Sequence, residues 1–66
     1  MIANNDNIII EFVSCGKFIK VTAIDENNGD EVSIFGDARQ DKKTLSNLAV
    51  KKLRTIQAKK DATYLK

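Results

Sequence analysis

The chain contains no histidine, no proline and no tryptophan, and Cys15 is its single cysteine. Without histidine, triads that need an imidazole base and zinc sites with histidine ligands are excluded. One cysteine also excludes an intramolecular disulfide. The three glycines, at positions 16, 29 and 36, are too far apart for a phosphate-binding loop. The longest aliphatic run is residues 8–10, so the sequence predicts neither a signal peptide nor a membrane span.

What the chain does contain is typical of one small globular domain. It has 66 residues, of which 42% are apolar and 30% charged. A domain of this size buries only about 60% of its unfolded surface, so a partner chain is the expected source of extra stability. We therefore expect a non-enzymatic protein that uses no cofactor and no metal. The unpaired Cys15 agrees with a reducing, cytoplasmic location.

Three β-rich segments are followed by one helical segment. We predict a single domain over residues 1–66, with a flexible N-terminus at 1–6, a β-meander at 7–36, a helix at 41–60 and a tail at 61–66. This order predicts an α+β fold, βββα, in which a three-stranded antiparallel sheet is covered on one face by the helix.

The first hairpin is predicted from the turn at residues 16–17. A two-residue turn there pairs Phe12 with Val21, and the side chains then alternate between two faces of the sheet. Slipping this register by one residue would place Glu11 among apolar side chains, so the first register is preferred. The face predicted to lie under the helix is uncharged and apolar: Ile8, Ile10, Phe12, Ile19, Val21, Ala23, Val32 and Ile34.

The second hairpin is predicted from Asn28-Gly29. Asn-Gly suits the two positive-φ positions of a type I′ turn, and a two-residue loop there pairs Ala23 with Ile34. The surrounding acidic segment, residues 25–31, resembles a calcium loop only superficially. Its glycine is fifth where the calcium pattern needs the sixth position, and its flanks are strands. We interpret it as a hairpin turn.

The helix is predicted from a spacing of three and four residues between apolar side chains. Asp37 or Asp41 is the expected N-cap. The predicted buried stripe contains Leu45, Leu48, Ala49, Leu53 and Ile56.

One helix covers only one face of a three-stranded sheet, so the other face is the predicted interaction surface. Its flat footprint is roughly 370 Å², whereas a specific interface buries about 800 Å² per partner. We predict a homodimer formed through this face. The alternatives are a different protein partner, or scattered exposed apolar residues that bind nothing. The predicted interface residues are Ile9, Val13, Phe18, Ile24 and Phe35.

The charge is distributed unevenly, with a net −4 in residues 1–36 and a net +6 in residues 37–66. The helix therefore presents a basic surface, and binding of nucleic acid is one alternative function. The helix lacks the aromatic side chains on which single-stranded bases stack, so a solvated basic face is favoured. The predicted basic surface contains Lys43, Lys51, Lys52 and Arg54. A further alternative is an accessory subunit of a larger enzyme.

Three segments of the chain resemble a known family. They are Val-Thr-Ala-Ile-Asp at 21–25, Glu-Val-Ser-Ile at 31–34 and Leu-Ala-Val-Lys-Lys-Leu at 48–53. The chain is similar here to short alphaproteobacterial proteins that are classified only as a domain of unknown function. Asn28 and Phe35 depart from that family, which more often has threonine and a smaller aliphatic residue. The resemblance implies a free-standing bacterial cytosolic protein and assigns no activity, cofactor or catalytic residue.

Overall fold

A computed structural model describes the backbone of residues 7–64 and the side chains through residue 59. It contains strands β1 (Ile8–Cys15), β2 (Phe18–Asp25) and β3 (Glu31–Asp37), followed by helix α1 (Lys42–Tyr64). The strands form one antiparallel sheet in the order β1-β2-β3. The predicted βββα fold is confirmed. The predicted N-terminus at 1–6 and the side chains of the predicted tail at 61–66 lie outside the described residues.

The first hairpin has the predicted register. Phe12 pairs with Val21 across a two-residue turn. Gly16 has a φ of 64°, and residue 17 is not among the positive-φ residues. A positive φ at the first central position alone is typical of a type II′ turn, whose twist matches the flanking strands.

The predicted register of the second hairpin is wrong by two residues. Ala23 pairs with Val32, not with Ile34. Gly29 has a φ of 79°, but Asn28 does not have the positive φ that a type I′ turn requires at both central positions. The carboxylate of Asp25 accepts the N–H of Asn27 at 2.9 Å, and its carbonyl accepts the N–H of Gly29 at 2.8 Å. These bonds hold a longer loop, residues 26–29, closed by the pairing of Asp25 with residue 30.

A shift of two residues leaves each side chain on its predicted face, since strand side chains alternate with a period of two. The helix covers the predicted face. The buried side chains on this face of the sheet are Ile8, Ile10, Ile19, Val21 and Ala23, while Phe12, Val32 and Ile34 are partly buried against them.

The helix begins at Lys42, which places Asp41, one of the two predicted caps, at the N-cap position. Asp41 Oδ2 accepts the N–H of Thr44 at 3.1 Å, which satisfies one of the free donors of the first turn. Asp37, the other predicted cap, instead accepts the N–H of Arg39 at 2.8 Å. The helix continues to Tyr64, beyond the predicted end at residue 60.

The predicted buried stripe of the helix is only partly correct. Leu45, Ala49 and Leu53 are buried in the core, but Leu48 and Ile56 are exposed by 47% and 37%. The helix packs mainly against β2 and β3. At about 100° per residue, Leu48 lies about 60° from Leu45 on the side away from Ala49, whereas Ile56 lies between these two buried residues and further along the helix.

Leu45 shows where the helix begins to cross β3. It packs so closely over Gly36 of β3 that a Cβ on the glycine would lie 2.5 Å from Leu45 Cδ2. Further along the helix, Gln57 Nε2 donates to Asp30 Oδ2 at 3.2 Å. Since Gly36 is next to the last residue of β3 and Asp30 precedes its first, the helix runs antiparallel along β3.

Candidate interaction surfaces

The sheet surface opposite the helix, here called the open face, is arranged in cross-strand rows. The register places Ile9 beside Ile24, Glu11 beside Thr22 and Ser33, Val13 beside Lys20 and Phe35, and Cys15 beside Phe18. Each row is about 6.6 Å from the next, because side chains on one face recur every second residue. All five residues predicted to form an interface lie on this face.

Three of these five residues form an apolar cluster at one end of the open face, here called the phenylalanine end. Val13, Phe18 and Phe35 are exposed by 46%, 59% and 66%. They surround Lys20, which is half-buried between Val13 and Phe35 in the same row. Large apolar side chains clustered at this exposure are typical of contact surfaces.

The other two, Ile9 and Ile24, are cross-strand neighbours at the opposite end and are half-buried. A polar row separates them from the phenylalanine end. In that row the hydroxyls of Thr22 and Ser33 are hydrogen-bonded at 2.8 Å, and Glu11 is exposed. The open face is therefore apolar at both ends and polar across its middle.

Cys15 lies at the phenylalanine end and is exposed. Its Sγ is 3.7 Å from the carbonyl oxygen of Val13, within the same strand. The cation nearest in sequence is Lys17, in the following turn. A reactive cysteine needs a cationic setting that favours the thiolate. We therefore predict that Cys15 is an unreactive strand cysteine.

The predicted basic surface lies on the helix, on the other side of the molecule from the open face. Lys43, Lys51, Lys52 and Arg54 are all exposed. Arg54 Nη1 lies 3.2 Å from Gln57 Oε1 and 4.0 Å from Asp25 Oδ2. Part of the positive charge is thus directed at the acidic hairpin loop of the same chain.

A polar network joins the helix to that loop. Gln57 Nε2 donates to Asp25 Oδ2 at 2.8 Å and to Asp30 Oδ2 at 3.2 Å. The bond from Gln57 is the largest cause of a lowered pKa at Asp25, followed by the backbone N–H of Asn27. Asp25 is almost inaccessible, so these partners stabilise a carboxylate that solvent barely reaches. The network positions the helix on the sheet.

A depression of 350 Å³ lies beside the β1–β2 turn, lined by Lys17, Asp37, Ala38 and Arg39. Arg39 Nε is 3.4 Å from Asp37 Oδ1. The pKa of Asp37 is lowered, first by the hydrogen bond from the Arg39 backbone N–H and then by the bond from the Arg39 side chain. Since Asp37 faces Arg39 here, the depression has mixed charge and no marked preference for an anion.

Within the part of the chain that the structure describes, no three His, Cys, Asp or Glu side chains are grouped so as to hold a metal ion. In that same part, no helix combines the length and the apolar composition that crossing a bilayer requires.

Two features were not predicted from the sequence. The bonds from Gln57 to Asp25 and Asp30 join residues far apart in the chain, and a lone glutamine at a helix position gives no signal of such partners. The exposure of Leu48 and Ile56 was missed because the spacing of a stripe does not tell how far the sheet extends beneath it.

Comparison with known proteins gives one family match. Residues 5–60 match the model of a family described as Domain of unknown function (DUF6898). Neither the curated proteins nor the solved structures include a match to this chain.

Proposed function

We propose that this chain, which belongs to the DUF6898 family, a domain of unknown function, is a non-enzymatic interaction module. It self-associates through the open face. The observation that carries this proposal is the phenylalanine end, where Val13, Phe18 and Phe35 are exposed together on the uncovered side of the sheet. The bacterial, cytoplasmic setting belongs to the same proposal and agrees with the free thiol of Cys15.

A second copy fits this face because the face is complementary to itself. In a sandwich with a two-fold axis running across the strands, between the Glu11 row and the Lys20 row, the Ile9–Ile24 end of each copy covers the Cys15–Phe18 row of the other. Ile24 then meets Phe18 and Ile9 meets Cys15, while Val13 and Phe35 cover Glu11 and Ser33 of the other copy.

The same arrangement is favourable for the charges. It places the Lys20 row of each copy over the Glu11 row of its partner, so opposite charges become diagonal neighbours. The like charges of Glu31 and Asp37 come together only at the rim, where solvent and salt screen them.

The test is the mass of Phe18→Lys compared with the unaltered chain. Phe18 is exposed on the central strand, so the substitution places a charge in the proposed interface without altering a core side chain or a sheet edge. We expect sedimentation equilibrium to show a lower mass for Phe18→Lys and for Phe35→Lys. Asn47→Lys, at an exposed helix position, adds the same charge and should keep the mass. An unchanged mass for both phenylalanine variants would refute the proposal.

A second candidate function is binding of nucleic acid through the helix. The exposure of Lys43, Lys51 and Lys52 on the side away from the open face favours it. Retention on heparin that falls steeply with the logarithm of salt concentration would support it, and lack of retention at low salt would refute it. If the purified chain is monomeric but enters a stable complex with a larger enzyme, the accessory-subunit alternative replaces self-association.

A further inference from the structure

The side of the helix that faces away from the sheet carries a row of mostly small side chains, here called the outward row. The buried residues Leu45, Ala49 and Leu53 fix the direction of the sheet. At about 100° per residue, Lys51 lies nearly opposite them, and Asn47 lies one turn before it in the same row. Every member of the outward row is exposed: Thr44, Asn47, Lys51, Thr55 and Ala58.

Basic side chains flank the outward row on both sides. In the same projection Arg54 and Lys43 lie roughly 60–80° from Lys51 on one side, while Lys59 and Lys52 lie roughly 80–100° from it on the other. All four flanking residues are exposed. They extend along about 24 Å of the helix, and the sequence has no acidic residue between positions 42 and 59. The helix thus presents an elongated positive surface with two basic sides.

The acidic groups of the hairpin loop lie on the sheet side of the helix. Asp25 and Asp30 both accept hydrogen bonds from Gln57, which is half-buried. Among the flanking residues, Arg54 is the one with a printed contact to this loop, at 4.0 Å from Asp25 Oδ2. The loop therefore leaves Lys51 and the flank formed by Lys52 and Lys59 at a distance from its carboxylates.

Lys42 differs from the other lysines of the helix in its direction. Its Nζ lies 5.6 Å from the centroid of the Phe12 ring, on the covered side of the sheet. A cation over an aromatic face is attracted to the ring. This charge is consequently directed toward the sheet and is not part of the flanks.

The side chains of this surface select among polyanions. A helix that lies in a bilayer surface needs a whole apolar face, whereas Leu48 is a single large apolar side chain beside the outward row. Single strands are bound by stacking on aromatic side chains, which residues 42–59 lack. Duplex RNA has a deep, narrow major groove that side chains do not read. The major groove of B-form DNA, in contrast, admits an α-helix.

We propose that the helix binds in the major groove of duplex DNA, with its outward row toward the bases. The groove is about 12 Å wide and the helix about 10–12 Å across, so the two basic flanks face the phosphates of the two strands. Asparagine and lysine are residue types that bond to adenine and guanine edges in this groove, and Asn47 and Lys51 occupy the outward row. The inference rests on the second candidate function, binding of nucleic acid through the helix, and does not need self-association.

The test compares three labelled probes of the same mixed sequence by fluorescence anisotropy: a DNA duplex, an RNA duplex and a DNA single strand. We expect the DNA duplex to bind at least about tenfold more tightly than the other two. Four phosphate contacts predict a slope of roughly −3 to −4 for the logarithm of affinity against the logarithm of salt concentration. A DNA duplex with glucosylated hydroxymethylcytosine in place of cytosine has its major groove filled, and it should bind about tenfold more weakly or less.

Charge-removing variants locate the contact on the helix. Lys43→Gln and Lys52→Gln, one on each flank, should each weaken binding and reduce the salt slope by about one. Lys42→Gln is the matched control, since it removes the same charge from the same helix on the side toward Phe12. It should leave both the affinity and the slope nearly unchanged. Equal effects of Lys42→Gln and Lys52→Gln would show a non-specific charge effect and overturn the inference.

The remaining outcomes separate this inference from the proposals it accompanies. Equal affinity for the three probes, or for the duplex with the filled groove, overturns the inference but leaves binding of nucleic acid in place. Binding to none of the probes, with no retention on heparin, refutes both. Phe18→Lys lies on the open face and should bind the DNA duplex as tightly per chain as the unaltered protein, so a failure of self-association leaves the inference standing. A large loss of affinity in Phe18→Lys would assign the contact to the open face and contradict it.

Discussion

Asp25 is a carboxylate at the covered end of β2 with only 5% exposure. Its pKa is lowered first by the bond from Gln57 and then by the Asn27 N–H. A carboxylate whose pKa is lower in the folded state adds stability above its ordinary pKa, and this stability is lost as pH falls through the lowered value. The chain should therefore lose stability in acid as Asp25 takes up a proton.

Gln57→Ala should raise the pKa of Asp25 and reduce the part of the acid-induced loss of stability that Asp25 causes. The pKa is measured by NMR titration of the Asp25 carboxyl carbon, and stability by urea unfolding at neutral and acid pH. Arg54→Ala serves as the comparison, since the charge of Arg54 is a smaller cause of the shift than the bond from Gln57. A larger rise in Arg54→Ala than in Gln57→Ala would contradict this assignment.

Gly36 is a position where the helix lies too close to the sheet for a side chain. An added Cβ would lie 2.5 Å from Leu45 Cδ2 and 2.9 Å from Gln40 Oε1. Leu45 is fully buried, so it has little space in which to move. Gly36→Ala should reduce the free energy of unfolding by about 1–3 kcal/mol, measured by urea denaturation. Ser14→Ala, in the same cross-strand row on the exposed edge, should have little effect.

At the scale of the elements, the start of the helix depends on Asp41. Its carboxylate accepts the backbone N–H of Thr44 at 3.1 Å and the Thr44 hydroxyl at 3.2 Å. Asp41→Ala should lower the free energy of unfolding by about 1 kcal/mol. Asp41→Asn keeps an oxygen acceptor and should retain most of that stability. Urea unfolding of both variants makes the check, and an equal loss in the two would show that charge rather than capping is responsible.

The elements could be predicted because their signals are local. Alternation of apolar residues, the turn at residues 16–17 and the cap at Asp41 each depend on a few neighbouring residues. The loop after β2 was mispredicted because the Asn-Gly signal was weighed without the side chain of Asp25, which accepts the Asn27 N–H and favours a longer loop. The predicted buried stripe wrongly included Leu48 and Ile56, because the position of a helix over a sheet depends on tertiary packing and not on local spacing.

For the whole molecule, the open face and its predicted residues followed from the sequence, since one helix shields one side of a sheet. Its division by the Thr22–Ser33 row did not, because the row depends on the register of β3. The partial burial of Phe12, Val32 and Ile34 also escaped prediction, since sequence periodicity does not show how the helix lies across the sheet.

Self-association predicts that thermal stability depends on protein concentration. A partner that binds only the folded state raises stability by mass action, so about a hundredfold increase in concentration should raise the Tm measurably. Differential scanning calorimetry makes the measurement. The dependence should be weaker in Phe18→Lys than in Asn47→Lys, and a concentration-independent Tm in the unaltered chain would contradict self-association through the open face.

The hairpin loop at residues 26–29 is two residues longer than the tight turn predicted for it, yet both versions present the same side chains to the helix. Insertions and deletions in this loop should therefore be tolerated in steps of two, since a single added residue would exchange the covered and uncovered sides of β3. Deep mutational scanning with one- and two-residue insertions after Asn28 would reveal this even–odd rule as a difference in the yield of folded chain.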